Sequence, residues 1–472
     1  MNTVESKRKL NWQKALDTVR GVISSLYFPF ITAAVTLACY YLAWDMVTIW
    51  YMALCGTFIL IFMKDTSPLI TVFLFMNIMI SMENSPTLIG GNPDEYYFQT
   101  AILAQIGVAI GLFACAGIYR MVTDIRARRF KVSPTFFGLC AFAVGIMFNG
   151  LFSEGYTPMN AVYGFFMAFL FLGLFVICSG SITINPRTFE RIAWSFIALS
   201  LCLIIELAVA YGTYEGLWLE SGGIDRGKLY FGWGMYNTIG MLFVISMPSA
   251  AYLAQKYRHG FIFTIYLVVL VLCVFLSMSR QSMLCGAVVF VICAVWIMIK
   301  CPQKWINGGI FVATAVAAVI ALAVNRAFVD EVFAMLTENF FSGSGRTTLY
   351  EKALAAFMEY PVFGSGFYHD LSEDPGFVGL PIIPDMYHNT VFELMAVGGL
   401  FAIVPYVIHR IHTVISFVKN PSRDRFFVGL TIFALLILSL LDNHIFYILP
   451  TIIYSFMTAV LINSEKSRSS AA

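Results

Sequence analysis

Four polar segments interrupt long apolar runs in this sequence and carry side chains that could bind or transfer an anionic group. In residues 277–282, Arg280 stands among serines, with Ser279 immediately before it. Its planar guanidinium can donate hydrogen bonds to two oxyanions at once. The alternative is that Arg280 reaches out to lipid headgroups. The neighbouring hydroxyl groups and the very short turn favour a fixed, inward-facing cation.

Two further segments add positive charge. Arg226 and Lys228 lie in a polar loop that leads to Asn237, although such a loop can also be an ordinary connection. Arg346 follows a Gly-Ser-Gly stretch that resembles no phosphate-binding loop, because no strand precedes it and no Gly-Lys-Ser/Thr follows. The glycines instead suggest sharp backbone turns. Arg346 is either another anion ligand or an ion-pair partner of Glu351.

The fourth segment places His388 and Asn389 at the start of an apolar run. An imidazole, with an ordinary pKa of about 6.5, suits a general base that takes a proton from a hydroxyl group. Asp385, three residues earlier, could orient the ring. The alternative is a histidine that is merely hydrogen-bonded at the membrane interface.

The composition predicts that membrane helices position these segments. The 472 residues are 59% hydrophobic and 12% charged, about half the charge of a soluble domain. Continuous apolar runs of about 18–25 residues favour helices over a barrel. We predict an all-α membrane protein with one domain, 1–472, and about fourteen spans, of which the third and thirteenth are short enough to be re-entrant. The spans lie near residues 22–42, 46–63, 67–82, 99–119, 133–152, 161–183, 192–212, 233–254, 261–278, 283–299, 305–324, 389–409, 427–441 and 445–463.

The basic residues predict the orientation. With the N-terminus inside, all but six of the 29 Lys and Arg residues fall in the cytoplasm, as the positive-inside rule requires, and the C-terminus is inside as well. The six basic residues predicted to lie outside are Arg226, Lys228, Arg280, Arg326, Arg346 and Lys352.

The predicted outer loop 325–388 has two short interfacial helices. The first has an apolar face that includes Phe328 and Leu336. The second begins at Thr348, which has capping-box spacing to Glu351, and ends at Pro361.

Taken in order, these segments resemble the superfamily of O-antigen polymerases and O-antigen ligases. The similar stretches are residues 226–237, 277–280, 346–366, 388–393 and 398–400. They cover about residues 226–400, whereas the N-terminal half is similar only in being a series of spans.

The resemblance implies a GT-C-like glycosyltransferase that moves a glycan from an undecaprenyl-pyrophosphate carrier to a sugar hydroxyl. The reaction would occur at the outer face of the bacterial cytoplasmic membrane, without a metal or other cofactor. Arg226 and Arg280 would stabilise the leaving pyrophosphate and His388 would be the base. Substrate would be bound by Arg346, Asn389, Ser279 and Lys228.

The implied partners are a lipid-linked glycan donor, a glycan acceptor and membrane lipid, with a chain-length regulator as a further candidate. The net charge of +2 gives no indication of nucleic-acid binding. We favour a polymerase of O-antigen, capsular or exopolysaccharide repeat units, with a ligase to lipid A–core as the alternative. A flippase or transporter is less favoured, because no internal symmetry is visible and few acidic residues, chiefly Glu206 and Glu393, are predicted within the membrane.

Overall fold

The structure is a computed structural model that describes residues 2–42, 44–80, 100–130, 132–217, 224–231, 234–324, 346–367, 387–419 and 421–469. In these residues the chain is helical apart from one short hairpin. The helices of the first half are α1 Asn2–Ser24, α2 Phe28–Tyr41, α3 Asp45–Phe62, α4 Leu69–Ile80, α5 Thr100–Arg126, α6 Pro134–Met147, α7 Pro158–Ser181 and α8 Thr188–Thr213. The second half has a 3-10 turn Arg226–Lys228, strands β1 Tyr230–Phe231 and β2 Gly234–Met235, and helices α9 Tyr236–Lys256, α10 Phe261–Leu276, α11 Arg280–Lys300, α12 Lys304–Val324, α13 Arg346–Glu359, α14 Thr390–Lys419, α15 Arg423–Ser439 and α16 Ile448–Ser469.

Each of the fourteen predicted spans coincides with a helix, but the number that cross the membrane is not confirmed as fourteen. Among the described residues, eight helices are long and apolar enough to cross, or nine if the bent pair formed by α1 and α2 counts as one span. Shorter apolar helices such as α6 and α10 account for part of the difference. The chain is therefore a multi-pass membrane protein with fewer spans established than predicted.

The first predicted span, near residues 22–42, has a sharp bend at its start. Helix α1 continues to Ser24, and α2 begins at Phe28 at an angle of 86° to it. Pro29 lies in the first turn of α2, where a proline is well tolerated because its missing N–H would have no helical partner. The chain therefore turns at residues 25–27, inside the predicted span.

Helices α9 and α16 form the centre of the bundle, since 89% of the membrane-crossing part of each is buried. Helix α9 contacts α8, α10, α11 and α15. Neighbouring helices therefore hold α9 on several sides. The beginning of α9 is consequently a fixed point of the structure, and the candidate site is built around it.

The segment after α13 pairs with the middle of α14. The amide of Ser365 donates to the carbonyl of Ala396 at 2.7 Å, and the amide of Phe401 donates to the carbonyl of Val362 at 2.9 Å. Helix α14 is broken where this happens, because Gly399 has φ +58° and ψ −158°. The Gly-Ser-Gly stretch predicted to allow a sharp turn before Arg346 lies outside the described residues, but Gly364 and Gly366 have left-handed φ values of +71° and +99°. The helix predicted from Thr348 to Pro361 is present as α13, although it begins two residues earlier, so Thr348 is not its N-cap. The other predicted interfacial helix, and Phe328 and Leu336 with it, lies outside the described residues.

We predict that Gly399→Ala lowers stability by about 2–4 kcal/mol, because a left-handed backbone disfavours a side chain and the added Cβ would lie 2.5 Å from the carbonyl oxygen of Val362. The matched control is Gly309→Ala in α12, where nothing lies within 4 Å and alanine should be neutral or slightly stabilising. Thermal unfolding in detergent measures both. Equal unfolding temperatures for the two variants would contradict the prediction.

Candidate functional site

A side-chain hydrogen bond connects the starts of α9 and α11, and side chains cap the starts of α11 and α14. The hydroxyl of Ser279 donates to the Oδ1 of Asn237 at 2.9 Å, which ties the start of α11 to the start of α9. Ser279 also caps α11 by accepting from the amide of Ser282. The side chain of Asn389 caps α14 by accepting from the amide of Val391 at 2.8 Å. The hydrogen bonds described for Ser279 and Asn389 therefore stabilise the first turns of α11 and α14.

A buried carboxylate, Asp442, connects two of these helix starts from the loop between α15 and α16. Its Oδ1 lies 3.0 Å from the Nδ1 of His388, just before α14. Its Oδ2 lies 3.3 Å from the Nε2 of Gln281, in the first turn of α11. The loop between α15 and α16 is thereby joined to the beginnings of both α11 and α14.

The geometry of His388 and Asp442 is that of a base with an orienting carboxylate. A carboxylate only accepts hydrogen bonds, so the Nδ1 of His388 must carry the proton. In the neutral form of the ring, the Nε2 then has a free lone pair. The His388 side chain is 34% exposed and that of Asp442 only 4%, so the ring is open to a reactant while the carboxylate is enclosed. This arrangement suits proton abstraction by Nε2, with Asp442 stabilising the imidazolium that forms.

A second histidine lies on the other side of Asp442. The Nε2 of Gln281 lies 2.9 Å from the Nε2 of His444, which is buried. The Gln281 amide must turn its NH2 group toward the carboxylate, since its carbonyl would be repelled there. It therefore donates to both Asp442 and His444, and the proton of His444 is on Nδ1.

The charge of Asp442 is maintained by its neighbours. Burial alone would raise its pKa, but the hydrogen bond from His388 and the electrostatic effect of the two neighbouring histidines act in the opposite direction and lower the pKa to about 2. Burial lowers the pKa of His444, although Asp442 partly opposes this. At neutral pH the carboxylate is therefore ionised.

Two residues at the site have a left-handed backbone that side chains rarely adopt. Met278 has φ +55° and His388 has φ +49°, and they are two of four such non-glycine residues in the described part of the chain. Each costs on the order of 1–2 kcal/mol. The segment at His388 is held on both sides, because Glu393 accepts from the amide of Tyr387 at 3.0 Å and Asn389 donates to the carbonyl of Leu440 at 2.7 Å.

Of the cationic residues that the sequence predicts for the site, only some are shown to lie near Asp442. Arg280 is the first residue of α11, next to Gln281, and is partly buried. Arg226 begins the 3-10 turn that leads through the hairpin to α9, and its side chain lies outside the described part. Lys228 is exposed, and its Nζ lies 3.7 Å from the Oδ2 of Asp225.

Arg346 is the first residue of α13, and the alternative that it pairs with Glu351 is wrong: no ion pair between these two described residues is present. Helix α13 lies on α14, where Tyr350 stacks on Phe392 with ring centroids 4.4 Å apart. Tyr350 is one helical turn from Arg346. Arg346 thus lies on a helix that packs beside the start of α14.

The sequence does not predict the roles of Asp442, Gln281 and His444 at this site. Asp385, predicted to orient His388, lies outside the described residues. A weak signal was present, because Asp442 and His444 form a polar pair in a very short loop between two predicted spans. Their approach to His388 is a tertiary contact between residues 54 positions apart, which no local pattern reveals.

The site favours anions. Three helices begin there, and a helix N-terminus carries a partial positive charge with unpaired amide groups. Arg280 adds a full positive charge at one of these starts. Within the described residues, no group of three or more His, Cys, Asp or Glu side chains is arranged to hold a metal ion. The expectation of a metal-independent reaction stays a prediction.

Taken together, these features define a helical multi-pass membrane protein with a polar, anion-favouring site at one end of its bundle. Residues 265–407 match the family model described as O-antigen ligase, which confirms the resemblance to the O-antigen polymerase and ligase superfamily. The match includes Ser279, Arg280, Arg346, His388 and Asn389, but ends before Asp442. It indicates a glycosyltransferase-like membrane enzyme with lipid-linked glycan substrates. No curated protein matches the chain.

We predict that the Asp442→Asn variant loses less stability than the wild-type protein when the pH is lowered. A carboxyl whose pKa is lower in the folded state stabilises the fold above its ordinary pKa, near 3.8, and this contribution is lost as the pH falls toward about 2. Between pH 5 and pH 3 the wild-type protein should lose about 1 kcal/mol more than the variant. Thermal unfolding at several pH values measures this, and parallel curves for the two proteins would contradict the assignment.

Proposed function

We propose that the protein polymerises undecaprenyl-pyrophosphate-linked oligosaccharide repeat units into O-antigen, capsular or exopolysaccharide. The observation that carries the proposal is the partly exposed imidazole of His388, oriented by buried Asp442 at 3.0 Å and joined through Gln281 to the helix that begins with Arg280. A base for the acceptor and a cation for the leaving group therefore lie on one hydrogen-bonded frame. The match to the O-antigen ligase family supports lipid-linked glycans as substrates.

In the proposed reaction, the acceptor hydroxyl gives its proton to the Nε2 of His388 as its oxygen attacks the anomeric carbon of the donor. The bond between that carbon and the pyrophosphate oxygen breaks, and its electron pair leaves with undecaprenyl pyrophosphate. The developing charge is stabilised by Arg280 and Arg226 and by the amides at the helix starts. Asp442 stabilises the imidazolium, which afterwards releases its proton to water.

The remaining predicted residues are proposed to bind substrate. Arg346 and Lys228 would contact pyrophosphate or acidic sugars through their charges. Ser279 and Asn389 would act mainly by fixing the starts of α11 and α14, where their described hydrogen bonds lie. No metal or other cofactor is required in this scheme.

We place the enzyme in the bacterial cytoplasmic membrane as one domain, with residues 325–388 as its extracytoplasmic loop. Both termini would be cytoplasmic and the site would face outward. The distribution of Lys and Arg supports this orientation. The outward site would meet substrates that have been translocated across the membrane, and a chain-length regulator could act there.

Ligation of finished glycan to lipid A–core is the second candidate, because it uses the same donor chemistry and the matched family is described as O-antigen ligase. Flipping or transport of the lipid-linked oligosaccharide is less favoured. A base with an orienting carboxylate has a role in glycan transfer that passage across a membrane does not require.

We predict that His388→Ala lowers the rate of glycan elongation by about 10²–10⁴-fold, because proton abstraction is lost. Arg280→Ala should also abolish elongation. Asp442→Asn should lower kcat by at least about tenfold and change its pH profile, because the imidazolium loses its partner. The assay uses purified protein with undecaprenyl-pyrophosphate oligosaccharide alone, in chelator.

The matched control for these variants is His259→Ala, an exposed histidine just before α10 and away from the site, which should retain full activity. Laddered products support a polymerase, whereas reaction only after lipid A–core is added indicates a ligase. Near wild-type elongation by folded His388→Ala protein would refute the catalytic assignment.

A further prediction concerns the orientation of the protein in the membrane. A cysteine in place of exposed Glu154, in the loop between α6 and α7, should react with a membrane-impermeant thiol reagent added outside the cell. A cysteine in place of exposed Arg126, at the end of α5, should react only after permeabilisation. The opposite labelling pattern would reverse the topology. The parent protein, whose ten cysteines are free, gives the background.

A further inference from the structure

A groove of about 950 Å³ lies between the end of α9, the second half of α11 and the start of α15. One part of its lining is apolar and includes Val291, Val295 and Ile299, which are 57%, 52% and 58% exposed. Side chains of this kind on the outside of a membrane bundle face lipid chains. The other part of the lining is polar and contains Lys300 and Arg423.

The polar end of the groove carries one net positive charge, since Lys300 and Arg423 are opposed there only by Asp424 among the lining residues. Asp424 accepts from the hydroxyl of Tyr252 at 3.0 Å, and its Oδ1 lies 3.9 Å from the Nε of Arg423. Lys300 makes no hydrogen bond or ion pair within the residues that the structure describes. Arg423 donates from Nη1 to the carbonyl of Gln255 at 3.4 Å and keeps further donors.

The groove opens at the membrane face opposite the candidate site. Helix α11 runs from Arg280 to Lys300, and at about 1.5 Å per residue it spans roughly 30 Å, the thickness of the hydrocarbon core. Trp296, which also lines the groove, lies one turn before Lys300, at the depth where tryptophan is enriched. The cations are therefore at headgroup level and the apolar residues at chain level.

We propose that this groove binds a diacyl phospholipid with a singly charged anionic headgroup, from the leaflet opposite the candidate site. Its phosphodiester would lie between Lys300 and Arg423, and an acyl chain would follow Val291, Val295 and Ile299. A single negative charge matches the net charge of the polar end, and basic pockets between membrane helices commonly hold such headgroups. This proposal does not depend on the proposed function.

The bound lipid would contact α9, α11 and α15 at the ends remote from the candidate site. The other ends of these helices carry Asn237, Arg280 and, just beyond α15, Asp442. A lipid that binds the folded protein stabilises it by mass action. It would therefore help to keep in register the three helices on which the site is built.

The test titrates phosphatidylglycerol and phosphatidylcholine of identical acyl chains into the full-length protein in detergent. Binding is measured by native mass spectrometry and by the rise in unfolding temperature. Phosphatidylglycerol should bind more tightly than phosphatidylcholine. The double variant Lys300→Gln with Arg423→Gln should weaken phosphatidylglycerol binding about twenty-fivefold, because each cation near a membrane surface contributes about fivefold.

The matched control is Arg258→Gln with Lys304→Gln, which removes the same charge from exposed positions that do not line the groove. It should bind phosphatidylglycerol as the wild type does. Soluble glycerol phosphate should give no rise in unfolding temperature; a rise equal to that with lipid would assign the site to free phosphate and overturn the proposal. Equal affinity for both lipids, or equal loss in the control variant, would overturn it as well.

Discussion

A carboxylate that is removed from water inside a membrane protein must be surrounded by donors, and this requirement organises the end of the bundle around Asp442. One of its oxygens contacts His388, just before α14, and the other contacts Gln281, at the start of α11. His444, in the same loop as Asp442, lies 4.0 Å from the second oxygen. If these donors moved apart, an unpaired buried charge would remain, at a cost of several kcal/mol. The contact therefore holds together segments that are remote in sequence, and it does so in the arrangement that a base with an orienting carboxylate needs.

At the same end of the molecule, the positive electrostatic potential comes largely from the starts of helices and not from a dense group of cationic side chains. Helices α9, α11 and α14 begin there, and the hydrogen bond between Ser279 and Asn237 holds two of the starts together. Amide groups at helix starts are fixed by the fold, so they need no reorganisation when negative charge develops in front of them. A pyrophosphate leaving group fits such surroundings better than a neutral one. The membrane fold and the proposed chemistry are consistent for this reason.

The sequence was sufficient for the helices and for the segments at the site, since apolar runs and isolated cations are local features. It was insufficient where contacts between residues distant in sequence determine the arrangement of the site. Asp442 could not be assigned to His388 because 54 residues separate them, and the nearer Asp385 was preferred on spacing alone. The number of membrane crossings stays unconfirmed, because an apolar run predicts a helix but not that the helix is long enough to cross. The bend at residues 25–27 was not predicted either, since it lies in an apolar stretch.

The link from Gln281 through Asp442 to His388 has a consequence for selectivity. Arg280 precedes Gln281 directly, so its backbone position relative to His388 is set by two hydrogen bonds and the starts of two helices rather than by any flexible loop. In the proposed reaction, the separation between the group that would receive the diphosphate and the group that would receive the hydroxyl proton is therefore fixed by the scaffold. Different sugars would then be distinguished by the residues that line the site around this fixed pair. Those residues can differ between related enzymes while the distance between the two reacting groups is preserved.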